Sequence, residues 1–573
     1  MLRRLLLILP ILSGIFIPIL GPASRISEEV YLPTHPSVEG PVVARVFFAD
    51  LADLNRLANQ LDVWEVHHAE GYLVALLHPD QVTALLPAGY RVETDKARTA
   101  LLGRPLHSLP AQTTGIPAYS CYRTVEETAA DMAQLAADHP DLATWVDIGD
   151  SWEKVVGARS GYDLYALVLT SHAVPDPKPE FFLMAEIHAR ELATAELAAR
   201  FAEHLVAHYG TDPDDTWLLD YFEIHILPMA NPDGRKYAES GQYWRKNTDD
   251  DDGCPIFPYY GTDLNRNSSF HWGGDSTIPC FETYQGPSAA SEPETQAIQD
   301  YVVSIFPDQR GPDDDDPAPD DAMGVFVTLH SYSELVLFPY GFGSTLAPNH
   351  TQLETLGRKF GYFNGYQVCR SGEWGCIYAT TGATDDWAYG ELGLAAYTFE
   401  LGTGFFQDCS TFEHTIVPEN LPALLYAFKT ARRPYQAPAG PESLDVIVAP
   451  TTVLTGTQVT LTAVADDTRY DSNGWGDEPV QSIAAARYTV DAPAWIAGTI
   501  SYPMSPADGA FDAPVETVHA IVDITGWASG RHILFVESQD ADGNWGVPTA
   551  VFLQVTGVLD RDYLPFVAKY AGP

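Results

Sequence analysis

Phe181-Phe182-Leu183-Met184-Ala185-Glu186-Ile187-His188-Ala189-Arg190-Glu191 is the stretch on which the fold turns. Phe181 to Ile187 is an apolar run of the kind that forms a strand buried on both faces, and a helical pattern follows from about Ala193 to His208. A strand feeding a helix is the repeating unit of an α/β layer. His188 and Glu191 stand three apart where strand gives way to helix, so an imidazole nitrogen and a carboxylate can point at one zinc ion. The pair alone has a plainer reading, a salt-bridged helix face. Zinc needs a third protein ligand, and His330 is the best candidate: it ends a second apolar run, Gly324 to Leu329, and Ser331-Tyr332-Ser333 follow it.

Outward from this stretch, strand and helix signals alternate from about 118 to 434, with Phe222 to Pro228 another buried-strand candidate. That alternation predicts a largely parallel or mixed sheet between helices. Before it, residues 42 to about 96 carry three strand-like runs (Val42 to Phe48, Gly71 to Leu77, Tyr90 to Glu93) and two helical ones, a β-α-β-α-β module. Residues 97 to 117 lack any period, and their prolines with Arg98 and Arg104 mark a linker open to proteolysis. Beyond Pro434 short alternating strands and turn clusters run from Ser443 to Thr556, an antiparallel β-sandwich. The expected class is α/β, a mixed sheet flanked by helices with a small N-terminal α+β module and a C-terminal β-sandwich. The expected bounds are 1–23 for an N-terminal leader, 24–111 for the small module with its linker, 112–436 for the α/β domain, 437–557 for the sandwich and 558–573 for a tail.

The 573 residues carry 32 Lys+Arg against 77 Asp+Glu, a net charge of −45. Such a chain is repelled by phosphate backbones and anionic membranes, which argues against nucleic-acid binding. Arg3-Arg4, the apolar Leu5 to Leu20 and the small residues Gly21-Pro22-Ala23 form a secretory signal cleaved after about Ala23, an uncleaved anchor being the alternative. No later apolar run is long enough to span a membrane. Six cysteines in an exported chain predict up to three disulfides among 15 pairings, with Cys369 and Cys376 near enough to close a small loop.

Further motifs follow in one order: Asn231-Pro232-Asp233-Gly234, Trp244-Arg245-Lys246-Asn247, Asp263-Leu264-Asn265-Arg266-Asn267, His330-Ser331-Tyr332-Ser333, Ile377-Tyr378 and Thr398-Phe399-Glu400-Leu401. With His188-Ala189-Arg190-Glu191 they resemble the zinc metallocarboxypeptidases of the pancreatic A and B and bacterial T types, over about 118 to 434. The resemblance implies that His188, Glu191 and His330 hold zinc with one position left for water. It makes Asp263 the carboxylate behind a ligand histidine, Glu400 the general base, and Arg245 the partner of the developing oxyanion. Asn265 and Arg266 match the pair that captures a terminal carboxylate, which favours exopeptidase action on peptide or protein C-termini. Tyr378 matches a mobile tyrosine that closes over the last residue, and Arg190 a cationic position on the approach path. Gln242, where the pancreatic enzymes carry arginine, departs from the pattern. Cys254 and Cys280 resemble a family disulfide.

Asp385 falls at the floor of the pocket for the last side chain, as in the B type, which implies basic or mixed specificity; a plain cap is the alternative. The runs Asp249 to Asp252 and Asp313 to Asp316, and Asp540 to Asn544, read as solvated loops or turns, though a few of their carboxylates could clamp structural calcium. His67 and His68 read as ordinary histidines. The N-terminal module resembles an inhibitory pro-segment, and the sandwich reads as an accessory for a cell surface or polymer. The expectation is a secreted zinc carboxypeptidase, with a cell-wall peptidase or an inactive surface-binding protein as rivals.

Overall fold

A computed structural model describes residues 40–102, 114–157, 159–175, 177–254, 259–471 and 476–557. The signal segment, Arg104 with most of the linker, and the tail from 558 lie outside the described residues.

The N-terminal module has four strands: β1 (Val42–Phe47), β2 (Asp62–His67), β3 (Tyr72–Leu77) and β4 (Val92–Thr94). They pair in the order β2-β3-β1-β4, and helices Leu51–Ala58 and Pro79–Leu85 connect them. β2 is one strand more than the sequence reading gave. Its pairing with β3 shifts register between Val63 and Glu65, so Asp62, Val63 and Trp64 are buried in succession and the two-residue alternation that announces a strand is lost.

Eight strands form the central sheet: β5 (Ala143–Asp150), β6 (Asp163–Leu169), β7 (Glu180–Ala185), β8 (Glu223–Leu227), β9 (Val325–His330), β10 (Leu335–Leu337), β11 (Gln367–Cys369) and β12 (Ala395–Glu400). Their order is β11-β10-β12-β9-β7-β8-β6-β5. The inner strands β12, β9, β7 and β8 run parallel, while β5, β6 and the β10/β12 pair run antiparallel, so the sheet is mixed as expected. Phe181 to Ala185 and all of β9 are buried because helices cover both faces: Phe181 meets Phe201 of Leu192–His208 and Phe428 of Val417–Thr430 on one side, and Phe182 meets Tyr301 of Pro293–Ile305 on the other. Leu329 lies opposite Ala185 and His330 opposite Glu400, so β7, β9 and β12 end side by side on one sheet edge. That carboxyl edge is where open α/β sheets place their sites.

Eight further strands, β13 (Glu442–Ala449), β14 (Thr452–Leu454), β15 (Gln458–Asp466), β16 (Ile483–Val490), β17 (Tyr502–Pro506), β18 (Val515–Asp523), β19 (Gly530–Asp540) and β20 (Thr549–Thr556), pair in the order β13-β15-β18-β17-β16-β19-β20-β14. Val448 from one end of that order and Val453 from the other share one core, so the sheet folds over on itself as a barrel-like sandwich. β17 bonds to both β16 and β18 and joins the halves. One departure from an all-antiparallel sandwich is the parallel β14/β20 pair. Phe535, Val547 and Ala550 belong to the same buried cluster as the central sheet, and Tyr435 and Ala437 are buried in it too. The composition shift near 434 therefore marks a packed boundary. The six cysteines form Cys121–Cys409, Cys254–Cys280 and Cys369–Cys376.

Candidate active site

β7 ends at Ala185, and the chain turns through Glu186 at a positive φ of 59° before the Leu192–His208 helix. Buried Arg235 pairs with the Glu186 carboxylate at 2.5 Å and holds the turn. Asn231 stitches its surroundings: Nδ2 donates to the Ile187 and Lys246 carbonyls, and Oδ1 accepts from Gly234 N–H. A Cβ on Gly234 would lie 2.7 Å from Lys246 O and 2.9 Å from Ala189 Cβ, so only glycine fits this close approach.

The turn delivers His188 and Glu191 to His330 at the end of β9, and all three are buried. His188 Nε2 lies 3.0 Å from Asp263 Oδ1. Burial would raise the Asp263 pKa, but Arg245 and His188 outweigh it and hold the carboxyl well below its ordinary value. Asp263 is thus an acceptor, His188 Nε2 carries the proton, and Nδ1 keeps a lone pair. That lone pair faces Glu191 Oε1 at 2.8 Å and His330 Nδ1 at 3.2 Å, while His330 Nδ1 stands 3.3 Å from Glu191 Oε2. Burial lowers the His330 pKa and favours its neutral form, and its Nε2 is buried without a hydrogen-bond partner. Electron pairs converging in a buried space need a shared proton or a cation. Two imidazoles and one carboxylate with a position left open is the donor set of a catalytic zinc, so these residues fit that ion.

Asp263 turns its other oxygen to Arg245, accepting from Nε at 3.0 Å and Nη2 at 2.8 Å, and so ties Arg245 to His188. Exchanging this carboxylate for an amide keeps the shape and removes the charge that fixes the imidazole. Asp263→Asn is expected to weaken zinc affinity about 10- to 100-fold by chelator competition. Unchanged affinity would show that Asp263 does not orient His188.

Asn265 and Arg266 follow Asp263 on a short 3-10 turn. Asn265 Oδ1 accepts from Thr384 N and Oγ1, and Arg266 Nε lies 3.3 Å from Asp275 Oδ1. Asp275 also accepts from Thr381, so it aims the guanidinium. Sequence reading missed Asp275 and Thr384, since neither sits in a recognisable spacing from its partner. Glu400 ends β12 on the same cavity. Burial, with Glu191 nearby, pushes its carboxyl up to about 8 against the pull of Arg245 and Arg266. Tyr378 and Asp385 line the cavity as well. Asp385 Oδ1 accepts from Asp386 N, and no cation among the described residues pairs with it. Gln242 donates from Nε2 to Ser240 Oγ.

Arg190 is fully buried in the intact chain, where the N-terminal module occupies it: it grips both oxygens of Asp62 at 2.6 and 2.7 Å and stacks 4.0 Å over Phe405. Asp62 begins β2, and Val63, Trp64, Glu65 and Val66 line the cavity beside the candidate ligands. Glu65 accepts from Tyr332 Oη and pairs with Arg98 at 2.7 Å. His68, an ordinary packing histidine, reaches the Cys376 carbonyl at 2.9 Å and packs on Trp374. About 70 Å³ remains free under this cover.

Nothing among the described residues supports calcium at the acidic runs. Asp540 takes Asn544 in a turn, and His271 contacts Asp314. Asp249, Asp252 and Glu292 gather, with Asn247 donating to Glu292, but carboxyls alone do not define a cation site.

The zinc carboxypeptidase family profile matches residues 128–420, and this chain belongs to that family. Carboxypeptidase A2 of Rattus norvegicus is 32% identical over 306 residues, 50% of this chain and 64% of the relative. The chain thus matches a little under two thirds of that protein's length. Carboxypeptidase B of Bos taurus is 29% identical over 397 residues, covering 63% of this chain and 86% of its own. The crystal structure of a carboxypeptidase A from Helicoverpa armigera overlays with a TM-score of 0.55 at 23% identity, covering 68% and 97% of the two chains, a likeness of fold. Among the described residues no helix is long and apolar enough to cross a membrane.

Proposed function

We propose that the chain is the pro-form of an exported zinc carboxypeptidase that removes C-terminal residues from peptides, with basic or mixed preference. The bounds are those given above: signal to 23, pro-region to 111, catalytic domain to 436, sandwich to 557. The reading rests on one observation, the convergence of His188, Glu191, His330, Arg245, Asn265, Arg266 and Glu400 on one cavity at the carboxyl edge of the sheet. Three disulfides favour an oxidising compartment.

Zinc held by His188, Glu191 and His330 supplies Lewis acidity and lowers the pKa of water. The remaining work falls to side chains. Arg266, aimed by Asp275, and Asn265 hold the terminal carboxylate and so select chain ends. Arg245 spends Nε and Nη2 on Asp263 and keeps Nη1 for negative charge developing on the scissile carbonyl. Glu400 takes a proton from the attacking water and passes it to the leaving amine. Asp385, lacking a cation of its own, supports a preference for Lys or Arg.

The test is hydrolysis of matched peptides ending in Arg and in Phe, after limited proteolysis, with and without a chelator. Chelator-sensitive release of the last residue is expected, and Asp385→Ala should lower the Arg-to-Phe ratio at least tenfold, about 1.4 kcal/mol. A zinc-loaded, cleaved protein that releases neither residue would move the cell-wall or inactive binding readings ahead.

A further inference from the structure

A second cavity, about 210 Å³, opens where the end of the Val417–Thr430 helix meets the sandwich. In a chain of net charge −45 its lining is unexpectedly basic: Lys429, Arg432, Arg433 and Arg487 all face it. Two carboxylates answer them. Asp214 pairs with Lys429 at 2.6 Å, and Glu537 takes Nε and Nη2 of Arg487 at 2.9 and 2.6 Å. Four cations less two carboxylates leave two positive charges uncompensated. Arg432 and Arg433 make no side-chain hydrogen bond or ion pair with the described residues. Arg432 Cζ lies 4.6 Å over the Trp495 ring and Arg487 Cζ 3.9 Å over Trp545, so each guanidinium packs on a ring, and Arg432 keeps its N–H groups available. Burial, with Arg433 and Arg487 adding to it, pulls Arg432 down to about 10 against the opposing charge of Glu537, which is itself spent on Arg487.

The plainer account is that Arg432 and Arg433 answer the negative end of the Val417–Thr430 helix. A helix terminus offers only about half a charge, which cannot balance two. We propose that this cavity binds a dianionic oxyanion, phosphate or sulfate, free or carried as an ester on a larger ligand. Arg432 and Arg433 supply the charge-assisted hydrogen bonds, and the two tryptophans wall the site. Its place between catalytic domain and sandwich lets such a ligand lock their packing.

Calorimetric titration of the full chain with sodium sulfate, at ionic strength held constant with sodium chloride, tests this. Saturable binding is expected, weakened about tenfold or more in both Arg432→Gln and Arg433→Gln, as loss of one charge-assisted bond implies. Arg200→Gln makes the same charge change outside the cavity, where Arg200 pairs with Glu196 and Glu413, and should bind like the parent. Melting temperatures without sulfate report that each variant folds, and the half-exposed Arg433 is the variant least dependent on packing. Glucose 6-phosphate binding tenfold tighter than inorganic phosphate would identify an esterified ligand, and equal binding a free ion. No saturable sulfate binding, or binding that survives unchanged in both cavity variants, overturns the proposal. Survival would place the ion elsewhere, at Arg245 and Arg266 for instance.

Discussion

Glu400→Gln is expected to lower kcat of the cleaved protein by about 10³-fold, within the roughly 10²- to 10⁴-fold span of general acid-base catalysis, with KM and zinc content nearly unchanged. The amide is isosteric but takes no proton, so attacking water and leaving amine both lose their proton carrier. A thousandfold is about 4 kcal/mol of transition-state stabilisation. The split between parameters distinguishes this role from a structural one. Glu400 donates no bond that positions His188, Glu191 or His330 in the structure, so the ligand cluster should survive the change. Single-turnover release of a C-terminal residue, measured beside zinc by mass spectrometry of the native protein, separates the two. A Glu400→Gln protein with near-parental kcat would remove Glu400 from the mechanism. One that loses its zinc would assign it to holding the cluster instead.

How much of this could be read in the sequence depends on how local each signal is. His330 was legible because it closes an apolar run, while Glu400, Arg245 and the Asn265-Arg266 pair were legible only through their resemblance to family motifs; the parallel register brings His330 and Glu400 to one edge. Buried parallel strands read as continuous apolar runs, which is why the central sheet was legible. Asp275 was not, because its partner Arg266 lies across an irregular loop whose path follows from Thr381 and from the Cys254–Cys280 bridge rather than from any period. β2 escaped for a related reason, its bulge having erased the alternation. Arg190 shows a different limit. Its motif was recognised, yet its environment depends on Asp62, 128 positions away, and no local pattern encodes that pair.

That pair makes the second large expectation, latency of the intact chain. Asp62 and Arg190 are both buried and joined by two short hydrogen bonds, while Trp64 stacks on Tyr243 and meets Phe405 edge-on. Under this roof about 70 Å³ is open, room for a few waters, whereas pockets that take a ligand run to roughly 300–1,000 Å³. The intact chain is therefore expected to hydrolyse peptides at least about 10²-fold more slowly than protein cut between the N-terminal module and residue 114. Breaking a buried ion pair by removing one partner costs roughly 3–5 kcal/mol, so Asp62→Ala should loosen the cover by a large factor. The module folds through its own strands, and only non-covalent contacts hold it once the linker is cut. Activity should then rise on dilution of the nicked protein and fall when purified module is added back, more weakly for Asp62→Ala module. Equal rates for intact and nicked protein against the same peptide would mean that β2 leaves the site under the conditions of turnover. Asp62 would then be a stabilising contact with no part in latency.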